Sequence, residues 1–460
     1  MLRTILGRGF ATESSSFAAA LFVGGDFRNA VEKALDATGS RERRQRLLPA
    51  SVILVLVLAL SLFRHLSIPG VYRQVFFWTR RGRGAAPRVT DEALVHAKAR
   101  LGVDAVAELF HDLSAGVVVE PSFHGMRVFA IDGVRLCMFD TKANEKRFGK
   151  ISSSHGDQAA FPQLLAVALI ATETRHAVRV NFNPCTASER ECAAGFLGDL
   201  EKDDLVILDR GFHAVWLFER FLEKSIHFVC RASASYKPRI LERLGRGDYL
   251  VELTARVQRP DKAWKRVRLI LRMIEYRVGR RRRVRLITDL LDQAAHKPLE
   301  LARLYRERWE CELAYDEIKT HLAAPARGTV HLPFRSKTPQ GVLQEAYALF
   351  TTYNLLRSWI AVSAKASNAR PRDISFVGVL QLIRVVFTEL QGIDGLPLPI
   401  VRAIAALRQR KPRRPRWYHR VVRVKINRFP RKRRWHHQHI IDYASQVRLV
   451  NHRRARKPRA

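Results

Sequence analysis

The chain has 460 residues, and 81 Lys and Arg against 43 Asp and Glu give it a formal net charge of +38. Hydrophobic residues make up 47% of it, which is too many for a wholly disordered polycation. So large a charge argues against a neutral housekeeping protein and predicts a polyanionic partner. Composition alone leaves that partner open as DNA, RNA or an anionic membrane surface. The length allows two or three domains.

Residues 1–115 are predicted to form a helical N-terminal domain. Helical spacing covers 27–35, and an amphipathic helix is predicted over 91–110, after Thr90 as its N-cap. The longest apolar run, 50–63, has fourteen residues. A helix of that length spans about 21 Å, short of the roughly 30 Å hydrocarbon core of a bilayer. We therefore expect a buried helix rather than a membrane anchor, and no membrane partner.

Residues 116–365 change to a mixed α/β pattern. Strands are predicted over 127–133, 134–139, 163–170, 177–182, 205–208 and 227–231. Residues 236–292 alternate between apolar and polar positions, which predicts a β-rich insertion with a basic edge. Two long helices are predicted after it, over 299–322 and 340–364. The order of these elements predicts an α/β fold with a mixed sheet.

Residues 366–460 are predicted to be helical at first and then to form a highly basic tail. Twenty-one Lys and Arg lie within 401–460, against one acid, Asp442. Such a run neutralises phosphates by releasing their counterions, with little sequence preference. A nonspecific phosphate-binding tail is therefore predicted, which would be a DNA-binding tail if the polyanion is DNA, and the alternative is a solvated arm that only increases solubility.

The five cysteines are scattered, and none forms a CxxC pair. An odd number without metal-ligand spacing argues against a zinc module or a disulfide framework and fits a reducing compartment. We expect single buried thiols at all five positions.

Two aspartates directly follow apolar strand segments. Asp132 follows Ile131, Asp209 follows Leu208, and a glycine comes one or two positions after each aspartate. A carboxylate buried beside such residues is costly unless it is paired or binds a metal ion. For either aspartate alone, a turn-forming role is the simpler interpretation.

The helix predicted over 299–322 carries a stripe of functional groups. At about 100° per residue, one 60° sector of the helix contains Tyr305, Arg308, Glu312 and Lys319. A single carboxylate among cations suits a metal ligand flanked by phosphate-binding groups. An ordinary salt-bridged face, with Arg308 paired to Glu312, explains the stripe equally well. Three acids point away from the stripe and are predicted to be solvated: Glu307, Glu310 and Glu317.

Three carboxylates from distant segments can hold two divalent ions about 4 Å apart, an arrangement that catalyses phosphoryl transfer. Oxygen ligands favour Mg²⁺, with Mn²⁺ as a substitute. The predicted metal ligands are Asp132, Asp209 and Glu312. Asp289, at the end of a predicted strand, is the best alternative to Asp209. The other competing acids are Asp140, Asp157, Asp203 and Asp204, and His213 is a weaker candidate beside the site.

Together these residues resemble the catalytic core of bacterial DDE transposases of the insertion-sequence-4 type. The helix signature of that family is Tyr, two residues, Arg, three residues, Glu, six residues and Lys, and LYRERWECELAYDEIK matches every spacing. The AIDG segment with Asp132 and the LVILDRGF segment with Asp209 are similar to the elements that carry the family's aspartates. The FRSKTPQ segment at 334–340 and the YNLLR segment at 353–357 also resemble family segments. The resemblance covers roughly residues 27–365.

The resemblance implies an RNase H-like fold with the β insertion between the second and third acids. It implies a Mg²⁺-dependent enzyme that cuts DNA at terminal inverted repeats and joins the new 3′-hydroxyl to target DNA. Tyr305, Arg308 and Lys319 would then contact phosphates at the transposon end. Trp309 or Trp264 would stack into the gap left by a flipped base, although a tryptophan packed on the core is commoner.

The resemblance also implies partners and a location. The N-terminal helices would recognise the terminal repeats, and two protomers would pair on DNA as a homodimer. The protein would act in the bacterial cytoplasm, on the nucleoid. Two other functions remain open. One is a domesticated or inactive DNA-binding protein, against which the three intact acids argue, and the other is a structure-selective nuclease with the same core.

Overall fold

A computed structural model of the chain describes residues 25–44, 46–79, 88–152, 158–233, 236, 238–258, 264–278, 282–323, 334–386 and 398–408. Asp157 and residues 411–460 of the predicted basic tail lie outside the described residues.

The N-terminal part of the chain is helical, as predicted, with α1 Gly25–Ala37, α2 Ala50–Leu62, α3 Ile68–Thr79, α4 Asp91–Leu101 and α5 Asp104–Ala115. Helix α2 contains the long apolar run, and most of its side chains are buried. Within the described ranges, no helix is both long enough and apolar enough to cross a membrane.

Helix α4 begins at the predicted cap, where the Thr90 side chain accepts a hydrogen bond from the Ala93 N–H. The single helix predicted over 91–110 is wrong, because α4 ends at Leu101 and α5 begins at Asp104. Gly102 between them has a φ of 74°. Glycine adopts this left-handed conformation without the strain that a Cβ causes, so it ends the helix.

The strands form one mixed sheet, as predicted: β1 Val128–Cys137, β2 Gln163–Ala171, β3 Ala177–Pro184, β4 Leu205–Leu208, β5 His227–Arg231, β6 Arg239–Gly245, β7 Asp248–Gln258, β8 Trp264–Val278 and β9 Arg282–Thr288. Their order in the sheet is β3-β2-β1-β4-β5-β9-β8-β7-β6. Strand β4 lies parallel to β1 and to β5, and the other neighbouring pairs are antiparallel. Strands β6 to β9 fall within the range predicted to be rich in β structure.

The break predicted after Gly133, between two separate strands, is absent, because β1 runs straight through this residue. Strand β2 pairs with β1 from Phe129 to Cys137, so a continuous neighbour satisfies the backbone on both sides of the glycine. The prediction of two strands over 127–133 and 134–139 is therefore wrong. Asp132 lies within a strand rather than at its end.

Three short helices connect the strands: α6 Lys142–Phe148, α7 Glu189–Ala194 and α8 Val215–Glu223. The last part of the chain contains α9 Pro298–Leu304, α10 Trp309–Asp316, α11 Pro339–Ala366, α12 Phe376–Val386 and α13 Leu398–Ala406. A single α-helix over 299–322 is wrong in detail. A 3₁₀ turn, Tyr305–Arg308, separates α9 from α10, and a π-helical turn, Glu317–Leu322, follows α10.

Hydrophobic cores lie on both faces of the sheet. Strand β1 alternates between them: Val128 and Ala130 belong to the core that includes α2, α10 and α11, whereas Phe129 and Ile131 belong to the core with α7 and α8. By the same alternation, Asp132 faces α10. The strand period therefore points this carboxylate at the helix that carries Glu312.

Candidate active site

Adjacent parallel strands bring Asp132 and Asp209 together. In the register between β1 and β4, Ile131 lies opposite Leu208, and each aspartate is the next residue along its chain. Strand β4 ends there, while β1 continues with β2 as its neighbour. The two carboxylates therefore share the edge where the carboxyl ends of the parallel strands open.

The Asp132 carboxyl group is largely buried, with 18% of its side chain exposed. Burial raises its pKa to about 6, and the negative charges of Asp209 and Glu189 add to this effect. A hydrogen bond of 2.9 Å from the Gly133 N–H and the positive charge of Arg308 act in the opposite direction. The site thus holds a carboxyl group that ionises at a higher pH than an ordinary aspartate.

Asp209 caps a 3₁₀ turn over residues 210–212, with its carboxylate accepting a hydrogen bond of 2.6 Å from the Gly211 N–H. The turn-forming interpretation of Asp209 is therefore correct as local structure. One carboxylate oxygen is used in this way, and the side chain is only half-buried. The capping bond fixes the position of the carboxylate and does not exclude a second role.

Arg308 connects two of the three predicted acids. Its guanidinium donates one hydrogen bond to Glu312, four residues later, and a second of 3.4 Å to Asp132. The salt-bridged face that the sequence left open is thus present, and it reaches across to the sheet. In the described part of the chain, no three His, Cys, Asp or Glu side chains are grouped closely enough to hold a metal ion. A cation belonging to the protein lies between Asp132 and Glu312 instead.

The remaining residues of the predicted stripe differ in exposure. Tyr305 is half-buried, and burial raises the pKa of its phenol, with Arg308 and Asp209 among the charged groups that act on it. Lys319 is exposed on the π-helical turn, close enough to Cys137 to affect the pKa of that thiol. We call residues 305–319 the signature segment.

Both candidate stacking residues are accessible. Trp309, in the signature segment beside Arg308, is 53% exposed, and Trp264, at the start of β8, is 62% exposed. Neither tryptophan packs in the core, which was the simpler interpretation.

Tyr315 and Glu189 belong to the site but were not predicted. The buried Tyr315 hydroxyl donates a hydrogen bond of 2.6 Å to the Asp132 backbone carbonyl and accepts one of 3.1 Å from the Ala168 N–H. Glu189 lies against Gly133, so close that a Cβ on this glycine would lie 2.9 Å from the Glu189 carboxyl carbon. No local signal marks Tyr315. For Glu189, the only sequence signal is Ser188, which caps α7.

The structure removes most of the competing acids from the site. Asp289 accepts hydrogen bonds from His227 and from the Phe228 N–H, at the start of β5 and so at the opposite edge of the parallel strands. Asp204 is buried in an ion pair with Arg127. The other acids are Asp140, paired with Lys150, and the exposed Asp203 near His227.

His213 is a packed residue rather than a free base. Its ring lies 4.7 Å from that of Tyr236 and 5.4 Å from that of Phe218. Burial lowers its pKa to about 4, with Arg190 contributing, so the imidazole is neutral at pH 7. The five cysteines are free thiols, buried except for the half-buried Cys137.

The prediction that the acids outside the stripe are solvated is wrong. Glu317 is buried and paired with Arg175 and Arg357. Glu310 also pairs with Arg175, and Glu307 accepts a hydrogen bond from Arg372. Helical periodicity shows which residues share a face, but not what that face contacts. The face that carries these acids packs against charged side chains from other elements rather than facing solvent.

Two protein-family models match this chain, one over its helical N-terminal part and the other over the mixed α/β part that follows. A family model described as the insertion element 4 transposase N-terminal region matches residues 27–111, and one described as the transposase DDE domain matches residues 123–355. The transposase InsG for insertion sequence element IS4 of Escherichia coli is 26% identical over 406 residues, which cover 85% of this chain and 89% of that protein.

More distant similarities were also found. A probable transposase for insertion sequence element IS5377 of Geobacillus stearothermophilus is 26% identical over 180 residues, covering 38% of this chain and 44% of that protein. A piggyBac transposase synaptic complex with hairpin DNA aligns over 80% of this chain and 78% of its own, with 10% identity and a TM-score of 0.44. A score at that level does not establish a common fold.

Proposed function

The chain belongs to the DDE transposases of the insertion-sequence-4 type, and from this we propose that Asp132, Asp209 and Glu312 are its catalytic carboxylates. The chain is an insertion-sequence transposase. The observation that supports the assignment is the placement of the three acids: Asp132 and Asp209 each follow a paired position of two parallel strands, and Arg308 connects Asp132 to Glu312. The proposed reaction is cleavage at the terminal inverted repeats and joining of the 3′-hydroxyl to target DNA.

We propose an RNase H-like core for this enzyme. The strand order β3-β2-β1-β4-β5, with only β4 parallel to its neighbours, supports the proposal. Strands β6 to β9 would be the β-rich insertion, between the second and third acids. The proposed domains are 1–115 for end recognition, 116–365 for catalysis and 366–460 for the basic tail. The two matched ranges support the boundary between the first two.

The side chains present fit a hard divalent cation. All three proposed ligands are carboxylates, and the partly buried Asp132 and Glu312 already share a positive charge, that of Arg308. Asp132, Asp209 and Glu312 would hold Mg²⁺, or Mn²⁺ in its place. When bound, such ions activate the attacking hydroxyl and stabilise the departing oxygen in phosphoryl transfer.

The other residues of the site would bind and orient DNA. Arg308, once released from the acids, and the exposed Lys319 would contact the phosphates flanking the cleaved bond, and Tyr305 would donate to a phosphate oxygen. In the first step, an oxygen of water bonds to phosphorus while the bond to the 3′ oxygen breaks, and that oxygen takes up a proton. In the second step, the oxygen of the resulting 3′-hydroxyl bonds to a target phosphorus and loses its proton, while a target P–O bond breaks and the departing oxygen takes up a proton. Trp309 would stack on an unpaired base.

The proposed partners are the terminal inverted repeats, target DNA and a second copy of the chain, with no membrane. We place the protein at the nucleoid of a bacterial cytoplasm. The positive charge of the chain and its relatives support a DNA partner.

Cleavage and strand transfer by matched variants test the proposal. Asp132→Asn should abolish Mg²⁺-dependent cleavage of a terminal-repeat duplex and leave DNA binding intact. Asp289→Asn, the same change at the opposite edge of the sheet, should cleave at a rate close to that of the unchanged protein. Equal cleavage by both variants would reject the metal assignment. A pre-cut end with a 3′-hydroxyl distinguishes the alternatives, since a transposase joins it to target DNA and a nuclease does not.

A further inference from the structure

A buried charged network joins the signature segment to two other elements. Glu317, at the start of the π-helical turn, accepts hydrogen bonds from Arg175 at 2.9 Å, from the Tyr353 hydroxyl at 3.0 Å and from Arg357. Arg175 lies in the turn between β2 and β3, and the other two donors lie on α11. One carboxylate therefore connects three separate parts of the chain.

The network contacts the signature segment on both sides of Glu312. Arg175 donates a second hydrogen bond, of 2.6 Å, to Glu310, two residues before Glu312, and its first goes to Glu317, five residues after. Arg175 is 3% exposed and has a φ of 61°, a conformation that costs energy for a residue with a side chain. In this strained conformation, the Arg175 guanidinium bonds to both Glu310 and Glu317.

The YNLLR segment has no role in the proposed chemistry. It supplies the remaining contacts of the network to Glu317. Tyr353 and Arg357 both bind Glu317, and Arg357 also donates to the Tyr353 hydroxyl at 3.3 Å. Between them, Asn354 exchanges hydrogen bonds of 2.9 Å with both backbone groups of Ala177, where β3 begins. Through these hydrogen bonds, the YNLLR segment connects α11 both to the sheet and to the signature segment.

Buried ion pairs are poor sources of net stability, because desolvation of the charges offsets their attraction, but in some proteins they specify a single geometry. Glu317 also begins the π-helical turn, in which the Ala323 N–H bonds to the Ile318 carbonyl. A π turn changes the rotation per residue and is frequent at functional sites. The direction in which Lys319 projects from the segment follows from this turn.

We infer that Glu317 is a positioning residue, which acts with Arg175 and Arg357 to set the location of Glu312 and the direction of Lys319. The inference rests on the proposed function, since it requires Glu312 to be a catalytic carboxylate. It does not require Glu317 to touch DNA or a metal ion. Glu317 is 6% exposed, and both of its carboxylate oxygens already accept hydrogen bonds from these donors.

The test compares Glu317→Gln with a control that removes a buried charge elsewhere. Asp248→Asn is matched, because Asp248 and Arg272 form a fully buried pair within the β6–β9 strands. Both variants should lower the melting temperature by similar amounts. At a temperature where both are folded by circular dichroism, Glu317→Gln should lower kcat for cleavage about 10- to 100-fold with little change in KM for DNA. It should also weaken Mn²⁺ binding to the DNA-free protein, measured by electron paramagnetic resonance.

Tyr353→Phe is a milder second variant that removes one donor and no charge. It should keep the fold and lower kcat by a smaller factor than Glu317→Gln. If Glu317→Gln and Tyr353→Phe both match Asp248→Asn in kcat and in Mn²⁺ affinity, the positioning role is wrong.

Glu312→Gln, measured in parallel, separates this inference from the proposed function. Cleavage by Glu312→Gln at the rate of the unchanged protein would overturn the proposed function and the inference with it. Loss of cleavage in Glu312→Gln, with no effect in the two network variants, would overturn the positioning role alone.

Discussion

The Arg308 guanidinium donates a hydrogen bond of 3.4 Å to the Asp132 carboxylate, although 176 residues separate them in the chain. The same guanidinium is bonded to Glu312, so its charge lies between two acids that the proposed chemistry assigns to metal ions. Under the proposed function, Arg308 would exchange these carboxylates for DNA phosphates during the reaction. Metal ions bound at the proposed site would then compete with Arg308 for the same negative charges.

Arg308→Gln should therefore bind divalent cations differently from the unchanged protein. Removing one partner of a partly buried ion pair leaves uncompensated carboxylates, so the metal-free variant should melt at a lower temperature. Added Mn²⁺ should raise its melting temperature by more than it raises that of the unchanged protein. Differential scanning fluorimetry with and without Mn²⁺ measures this. Arg306→Gln, at an exposed position in the same 3₁₀ turn, is the control. An equal Mn²⁺ response in all three proteins would contradict the competition.

The pKa of Asp132 predicts a pH dependence of stability. Its pKa is about 6 in the folded protein, against an ordinary value of 3.8, so the folded state binds more protons than the unfolded state between these limits. The contribution of Asp132 to stability is fully present below pH 3.8 and is lost as the pH rises through 6. In metal-free buffer, Asp132→Asn should therefore gain stability relative to the unchanged protein between pH 4 and pH 7. Melting curves at several pH values, in the presence of a chelator, test this. A difference that does not change with pH would show that Asp132 ionises normally.

The contact between Gly133 and Glu189 predicts a steric effect at the site. An alanine Cβ at 133 would lie 2.9 Å from the Glu189 carboxyl carbon. The Glu189 side chain is 31% exposed and can move, so the cost of overpacking should be near the lower end of its range, about 1 kcal/mol. Gly133→Ala should lower cleavage by displacing either β1 or Glu189 beside Asp132. In a double-mutant cycle, adding Glu189→Ala should restore the stability lost in Gly133→Ala. Additive losses in the double variant would show that the two positions do not interact.

We predict that loss of the basic tail lowers the affinity for all DNA sequences to a similar extent. Deleting residues 411–460 removes most of the charge of 401–460, which holds twenty-one Lys and Arg against one acid. Binding to terminal-repeat DNA and to unrelated DNA should weaken by similar factors, and the salt dependence of both should become shallower. Fluorescence anisotropy at several salt concentrations measures the slope. A loss confined to the terminal repeat would make the tail a reader of sequence.

Some parts of the site follow from local sequence. Asp132, Asp209 and the stripe with Glu312 were all found from apolar runs and helical spacing, because these patterns depend only on neighbouring residues. The buried helix α2 and the Thr90 cap were predicted for the same reason, and the structure confirms both.

Tertiary contacts decided the rest. The two strands predicted on either side of Gly133 are one continuous strand, because β2, which comes later in the chain, pairs with it along its length. Glu317 is buried rather than solvated, because its partners Arg175 and Arg357 lie in other elements. Helical periodicity reports which side of a segment differs from the other, but it does not report what packs there. The sequence alone was therefore sufficient to select the acids that we propose for catalysis. Only the tertiary structure decided that Arg308 lies between two of them and that Tyr315 and Glu189 flank the first, because these contacts join residues far apart in the chain.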